Sequence, residues 1–280
     1  MDESTQDILV GFDGSPAADA ALQWAVDTAL LEHRAVRVAI IDDSYAAMRG
    51  AAWWPADYWI GVEDQARVVS AKAGREDITV IRRRGPLVPA MVTLAHDASL
   101  LVLGSRGHSR VGELFVGSAS QHLAGHAPCP VVVVRPAELP DANRIVVGLD
   151  GSSASEAALA FACRRARVTG ETIAALRAAD YGPVHLDRKG QLPEALGVFL
   201  TEQEQQLAAS VGHAQAVSPD VAIGPEFIAL SPAVGLVEAS QQASLLVVGS
   251  RGLNAFTGML LGSVSHEVLH RAQCPVVVVR

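Results

Sequence analysis

The stretch that decides the fold is Leu100-Leu101-Val102-Leu103-Gly104-Ser105-Arg106-Gly107, which runs on to Gly117-Ser118. An apolar run of strand character ends in glycines and feeds a segment of helical character, Ser118 to His126. A strand that closes on glycines before a helix N-terminus presents backbone N–H groups to an anion. The same spacing, glycine, two residues, glycine, nine residues, glycine-serine, returns at Gly249-Ser250-Arg251-Gly252 and Gly262-Ser263. It again follows an apolar run, Leu245 to Val248, 145 positions after the first. One such loop is ordinary turn chemistry, whereas two with the same spacing point to a duplicated device.

Working outward, other pieces repeat. Ile8-Leu9-Val10-Gly11-Phe12-Asp13-Gly14-Ser15 recurs 137 positions on as Ile145-Val146-Val147-Gly148-Leu149-Asp150-Gly151-Ser152. Each copy reads as a buried strand, a turn and a helix start; Ser15 is suited to an N-cap and Pro16 to the first helical position. Cys129-Pro130-Val131-Val132-Val133-Val134 recurs as Cys274-Pro275-Val276-Val277-Val278-Val279. Between these landmarks the first half alternates strands (8–12, 36–41, 79–82, 100–103, 131–134) with helices (from 16, 60–73, from 86, 118–126). The second half repeats the series with a helix over 153–166, a strand over 172–178, a long helix over 194–209 and a strand over 221–228; no helix is assigned between 228 and 245. Strands that are apolar throughout and alternate with helices make a parallel sheet covered on both faces. The expectation is two tandem doubly wound α/β domains, residues 1–136 and 143–280, joined by the proline-containing stretch Pro136 to Asn143.

Composition agrees. The chain has 280 residues, enough for two domains, and 50% of them are hydrophobic. The net charge of −8 divides equally: 12 basic and 16 acidic residues in 1–135, 10 and 14 in 136–280. No basic stripe is present, which disfavours nucleic acid and anionic membranes as main partners. Three cysteines without metal or redox spacing predict a reducing compartment. No apolar run approaches the ~20 residues of a membrane span, and the acidic N-terminus does not read as a signal peptide. A cytoplasmic protein is expected.

Ligands of doubly wound sheets bind beyond the carboxyl ends of the strands, where the strand order reverses. Asp13 with Gly104 to Gly107 therefore flanks one crevice, and Asp150 with Gly249 to Gly252 a second. Several chemistries fail on the residues. There is no G-x-x-x-x-G-K-[ST], no G-x-S-x-G and no G-x-G-x-x-G after the first strand. The only lysines are Lys72 and Lys189. Phosphoryl transfer relies on positioned positive charge, so binding with slow or negligible hydrolysis is expected. The histidines at 122, 126, 266 and 270 read as solvated or capping residues, and no metal site is expected. The Trp53 to Trp59 cluster suggests interdomain packing or a closing loop. The apolar Phe256 and Met259 suggest an assembly contact.

Asp13-Gly14-Ser15, the glycine pattern and the Cys-Pro-Val-Val-Val-Val ending, each present twice, resemble the universal stress protein family in its ATP-binding branch. The resemblance implies five-stranded sheets of order 3-2-1-4-5. It also implies an internal pseudo-dimer formed by antiparallel terminal strands, and leaves a homodimer open. It implies ATP, with or without Mg²⁺, in each half. Asp13 and Asp150 would meet ribose hydroxyls or phosphates. Gly104, Gly107 and Gly117, with Gly249, Gly252 and Gly262, would let the backbone approach the triphosphate. Ser118 and Ser263 would donate to phosphate, with Ser120 and Ser265 assisting. Ile41 and Ala178 would offer backbone groups to adenine, and Arg106 and Arg251 are within reach of phosphate or are exposed structural residues. The implied role is a nucleotide-dependent stress sensor. A slow ATPase or nucleotidyl transferase, and an interaction module without nucleotide, remain as alternatives.

Overall fold

The computed structural model describes residues 7–43, 58–107, 116–136, 142–182, 193–253 and 260–280. Its described residues separate into two compact units. The first holds Met1–Glu138 with Leu269–Arg271 and Pro275–Val278; the second holds Leu139–Val268, Ala272–Cys274 and Val279–Arg280.

In the first unit the apolar runs form β1 (Asp7–Gly11), β2 (Val36–Asp42), β3 (Thr79–Arg84), β4 (Ala98–Gly104) and β5 (Val131–Val134). They alternate with α1 (Pro16–Glu32), α2 (Tyr58–Lys72), α3 (Leu87–Ala95) and α4 (Ser118–His126). The strand order is β3-β2-β1-β4-β5, and these five pair in parallel. Ile8, Leu9, Leu22, Ile40 and Leu101 are among its fully buried side chains, as expected for strands covered on both faces. Order reverses between β1 and β4, because the chain builds outward through β2 and β3 and then returns to β1's other side. The crevice beyond Gly11 and Gly104 lies at that reversal.

The second unit repeats the plan with β6 (Arg144–Gly148), β7 (Thr172–Ala178), β8 (Ile223–Ile228) and β9 (Leu245–Gly249) in the order β9-β6-β7-β8, all parallel. Its helices are α5 (Ser153–Thr169), α6 (Glu194–Val217), α7 (Pro232–Ala239) and α8 (Ser263–Arg271). The reading from sequence omitted α7, although Ser231-Pro232 carries the signal of a proline at N1. It also ended α6 eight residues early, at 209 instead of Val217. The final strand, β10 (Val276–Val279), runs antiparallel to β5 within the first unit, Val277 opposite Val132. The sheet is thus mixed at this one junction, as the pairing of terminal strands implied. Val279 itself accepts from Ser250 N–H as Val134 accepts from Ser105 N–H, at 2.6 and 2.7 Å.

Cys129, Cys163 and Cys274 are buried free thiols. Burial pushes the Cys129 thiol up to about 11, so it stays protonated at neutral pH and packs as a small apolar residue. The Trp53 cluster, apart from the helical backbone from Tyr58 on, and Phe256 and Met259 lie outside the described residues. No described helix is long and apolar enough to cross a membrane.

Candidate functional site

Each crevice begins with the turn after the first strand of its unit. In the first, Gly14 takes φ +77°, a left-handed conformation that suits glycine. Asp13 Oδ1 accepts from Ser15 N–H at 3.0 Å, an Asx turn that fixes the carboxylate. Ser15 then caps α1, its Oγ accepting from Ala18 N–H at 3.2 Å. The same hydroxyl donates to the Arg106 carbonyl at 3.2 Å. The cap therefore also binds the turn to the glycine loop, a use that the sequence did not disclose. Ser152 repeats both contacts, with Ser155 N–H at 3.2 Å and the Arg251 carbonyl at 3.4 Å.

The three glycines of each loop have three different reasons. A Cβ on Gly104 would meet Ala17 C, Ala17 O and Ala18 N at 2.6, 2.8 and 2.9 Å, and one on Gly249 would meet Ala154 and Ser155 at 2.8–3.0 Å. Here glycine is needed because β4 and β9 press against the backbone of the first turn of α1 and α5. A Cβ on Gly107 would run into Asp13 Oδ2, and one on Gly252 into Asp150 Oδ2. These glycines make room for the carboxylates. Gly117 and Gly262 differ: a Cβ there meets nothing closer than 3.7 and 3.5 Å. Their φ values of −62° and −69° suit any residue. Nothing among the described residues demands glycine at these two positions.

Gly117 and Gly262 are the N-cap residues of α4 and α8, and neither helix has a side-chain cap. Their own N–H groups bond to the carbonyls of Ser105 and Ser250 at 2.7 and 2.8 Å, which closes each loop on itself. The first-turn N–H groups of a helix lack intrahelical partners, and the dipole there favours an anion. Ser118 and Ser263 sit at the first position of these helices. Ser120 and Ser265 donate to the carbonyls of Gly104 and Gly249 at 2.9 and 2.6 Å, tying helix to strand. Ile41 lies at the carboxyl end of β2, its carbonyl accepting from Asp43 N–H at 3.1 Å. Ala178 ends β7 opposite Ile228. The structure thus brings Asp13, Gly104, Gly107, Gly117, Ser118 and Ser120 to one sheet end in the first unit, and their counterparts to one end in the second. Ile41 and Ala178 stand one strand further along that same end.

Asp150 is held more completely than an Asx turn requires. Its Oδ1 accepts from Ser152 N–H at 2.9 Å and its Oδ2 from Leu253 N–H at 3.0 Å. Burial raises its pKa, but the hydrogen bonds from Ser152, Leu253 and Ser155 outweigh that and hold the carboxyl below the ordinary carboxylate range. A folded-state pKa below the unfolded value gives stability that is complete above the unfolded pKa and is lost as pH falls through the folded one. Asp150→Asn is accordingly expected to cost about 1–3 kcal/mol at pH 7. The gap between it and wild type should begin to narrow below about pH 4 and go on narrowing as pH falls through the lower folded-state pKa. Denaturant melts from pH 7 to 3 measure this, and a gap that stays constant would contradict the role given to the carboxylate.

Beneath the Asp150 turn lies Arg177, which the sequence reading did not single out. It is 6% exposed. Its Nε and Nη2 donate to Gln203 Oε1 and Gln206 Oε1 at 2.7 and 2.8 Å. Burial lowers its pKa and the Asp150 charge raises it, with burial the larger effect. Among the histidines, His122 and His126 are exposed and bond back to the carbonyls of Ser118 and His122, both at 2.7 Å. His270 Nδ1 instead accepts from Val116 N–H at 3.1 Å, within the first unit. Of the two uses expected, solvated or capping, this bond just before the Gly117 N-cap is not the solvated one.

Comparison with known proteins agrees with this geometry. The Universal stress protein family model matches residues 4–135 and again 142–280. Universal stress proteins Rv1996 and Rv2623 of Mycobacterium tuberculosis are each 34% identical to the chain. The first alignment covers 98% of this chain and 94% of the relative, the second 99% and 97%. A universal stress protein structure from Archaeoglobus fulgidus superposes with a TM-score of 0.68 over 100% of this chain and 99% of its own, at 18% identity. The chain belongs to the universal stress protein family, as a tandem of two of its domains.

Proposed function

We propose that this chain is an ATP-binding universal stress protein with one nucleotide crevice in each half, working as a nucleotide-dependent regulator with little or no hydrolysis. The observation that carries the reading is the pair of uncapped helix starts at Gly117 and Gly262. In the same chain α1 and α5 are capped by Ser15 and Ser152, while α3, α6 and α7 also lack a side-chain cap. What sets α4 and α8 apart is a glycine at the N-cap, at the end of the glycine pattern, where a Cβ would meet no described atom closer than 3.5 Å. A phosphate would accept from the N–H groups at the start of α4 and α8 and from Ser118 or Ser263. Asp13 and Asp150, fixed by their Asx turns, suit ribose hydroxyls as hydrogen-bond donors. Neither glycine pattern, 104–118 or 249–263, contains a lysine in the sequence, which favours retention of the nucleotide over phosphoryl transfer. Mg²⁺, if it accompanies the ATP, would be held mainly by the phosphates, since no group of three or more metal-ligating side chains occurs among the described residues.

The test is the nucleotide content of the purified protein, released by acid and identified by chromatography, followed by calorimetric titration of the stripped protein. Two equivalents of ATP per chain are expected, with stabilisation of about 2.7 kcal/mol at a hundredfold excess over Kd. No bound nucleotide and no shift with ATP would favour an interaction module. Turnover well above background that disappears with Asp13→Ala would favour an enzyme.

A further inference from the structure

The two crevices are not electrostatic copies. Ile8 pairs with Val36 in the first unit and Ile145 with Ile173 in the second, so Arg177 occupies the place that Ile40 holds in the first. Ile40 is a fully buried apolar side chain; Arg177 is buried too, and is a cation. No carboxylate among the described residues lies within salt-bridge distance of it, and both of its hydrogen bonds go to neutral glutamine amides. Its Nη1 makes no hydrogen bond among the described residues. That nitrogen stands 3.7 Å from where a Cβ of Gly151 would be, and so lies against the Asp150-Gly151-Ser152 turn. Arg177 and Asp150 sense each other's charge. The first crevice thus carries one carboxylate over an apolar side chain, and the second a carboxylate over a guanidinium.

Burying a cation with no carboxylate in salt-bridge contact is unfavourable. A scaffold that needs only to tie β7 to α6 could do so with apolar residues, as Ile40 shows at the equivalent place. In dinucleotide sites of doubly wound sheets, an acidic residue about 20 residues beyond the turn after the first strand reads a ribose hydroxyl, or an arginine nearby accommodates a ribose phosphate. Arg177, near the end of β7, has the second kind of position. The unused Nη1 next to the turn that would face the ribose fits the second case. We infer that Arg177 is a specificity-determining residue of the second crevice, which takes an adenine nucleotide bearing a phosphate on its ribose in preference to one with free ribose hydroxyls. This rests on the nucleotide reading above and narrows the ligand class of that one site.

The test compares 5′-AMP with adenosine 2′,5′-bisphosphate, which differ only in the ribose phosphate, and uses ATP as the reference ligand. Gly117→Val isolates the second crevice and Gly262→Val the first, both with Arg177 intact. The second crevice is expected to bind the bisphosphate about tenfold or more tightly than AMP, as a charge-assisted contact supplies. The first should show no such preference. Arg177→Ile should abolish the preference while ATP still binds. If Arg177→Ile fails to fold, the comparison between the two isolated crevices decides the question alone. ATP binding at both crevices with no difference in preference between them overturns the inference and leaves the nucleotide reading standing. Absence of ATP binding at either crevice overturns both.

Discussion

Gly104→Val is expected to destabilise the first half by about 3 kcal/mol or more, with no nucleotide present. The added side chain meets the backbone of Ala17 and Ala18, and backbone in the first turn of a helix has no rotamer through which to yield. Relief must come from β4 moving away from α1, which disturbs the buried faces of Leu101 and Leu103. Melting of that half should fall by roughly 5–15 °C. Differential scanning calorimetry of the nucleotide-free protein measures this. An unchanged melt would mean that Gly104 is glycine for the ligand's sake alone. Gly249→Val should act in the same way on the second half.

The opposite behaviour is expected at the last glycine of each pattern, Gly117 and Gly262. Gly117→Val has space around its new Cβ and an ordinary extended backbone, so the empty protein should melt within about 1 kcal/mol of wild type, the scale of a changed N-cap. A phosphate seated on the α4 N-terminus would collide with the new side chain. Calorimetric titration should then show one equivalent of ATP per chain instead of two, the affected crevice weakened by about a hundredfold or more. The same holds for Gly262→Val in the second crevice, and the double variant should bind none. Two equivalents retained by Gly117→Val would remove the α4 N-terminus from the site. Together the two experiments separate glycines that serve packing from those that leave room for a ligand.

The duplication was readable because apolar strands and turn residues leave a period in the sequence, and two copies of the glycine spacing removed coincidence. The parallel order followed from strand-helix alternation. Three things were less visible, each for a physical reason. Helix α7 is eight residues long, too short for its apolar spacing to stand out from the neighbouring strand. The carbonyl bonds of Ser15 and Ser120 depend on residues 91 and 16 positions away, and nothing local encodes them. Arg177 sits in an apolar strand with its polar partners on a helix 26 and 29 residues later. Only its departure from the apolar run marked it, and the offset between repeats would have exposed Ile40 as its counterpart.

The contact between Gly107 and Asp13 links two positions that are 94 residues apart in the chain. Any side chain larger than hydrogen at Gly107 displaces the carboxylate, whereas a protein that had already lost that carboxylate would tolerate the larger residue. The two positions are therefore one unit of inheritance: in a lineage that gives up the crevice, the first change at either site releases the other from selection. A double-mutant cycle between Gly107→Ala and Asp13→Gly would read that dependence as non-additivity. The second half holds an independent copy of the same bond of descent in Gly252 and Asp150, so either crevice can decay while the other is preserved.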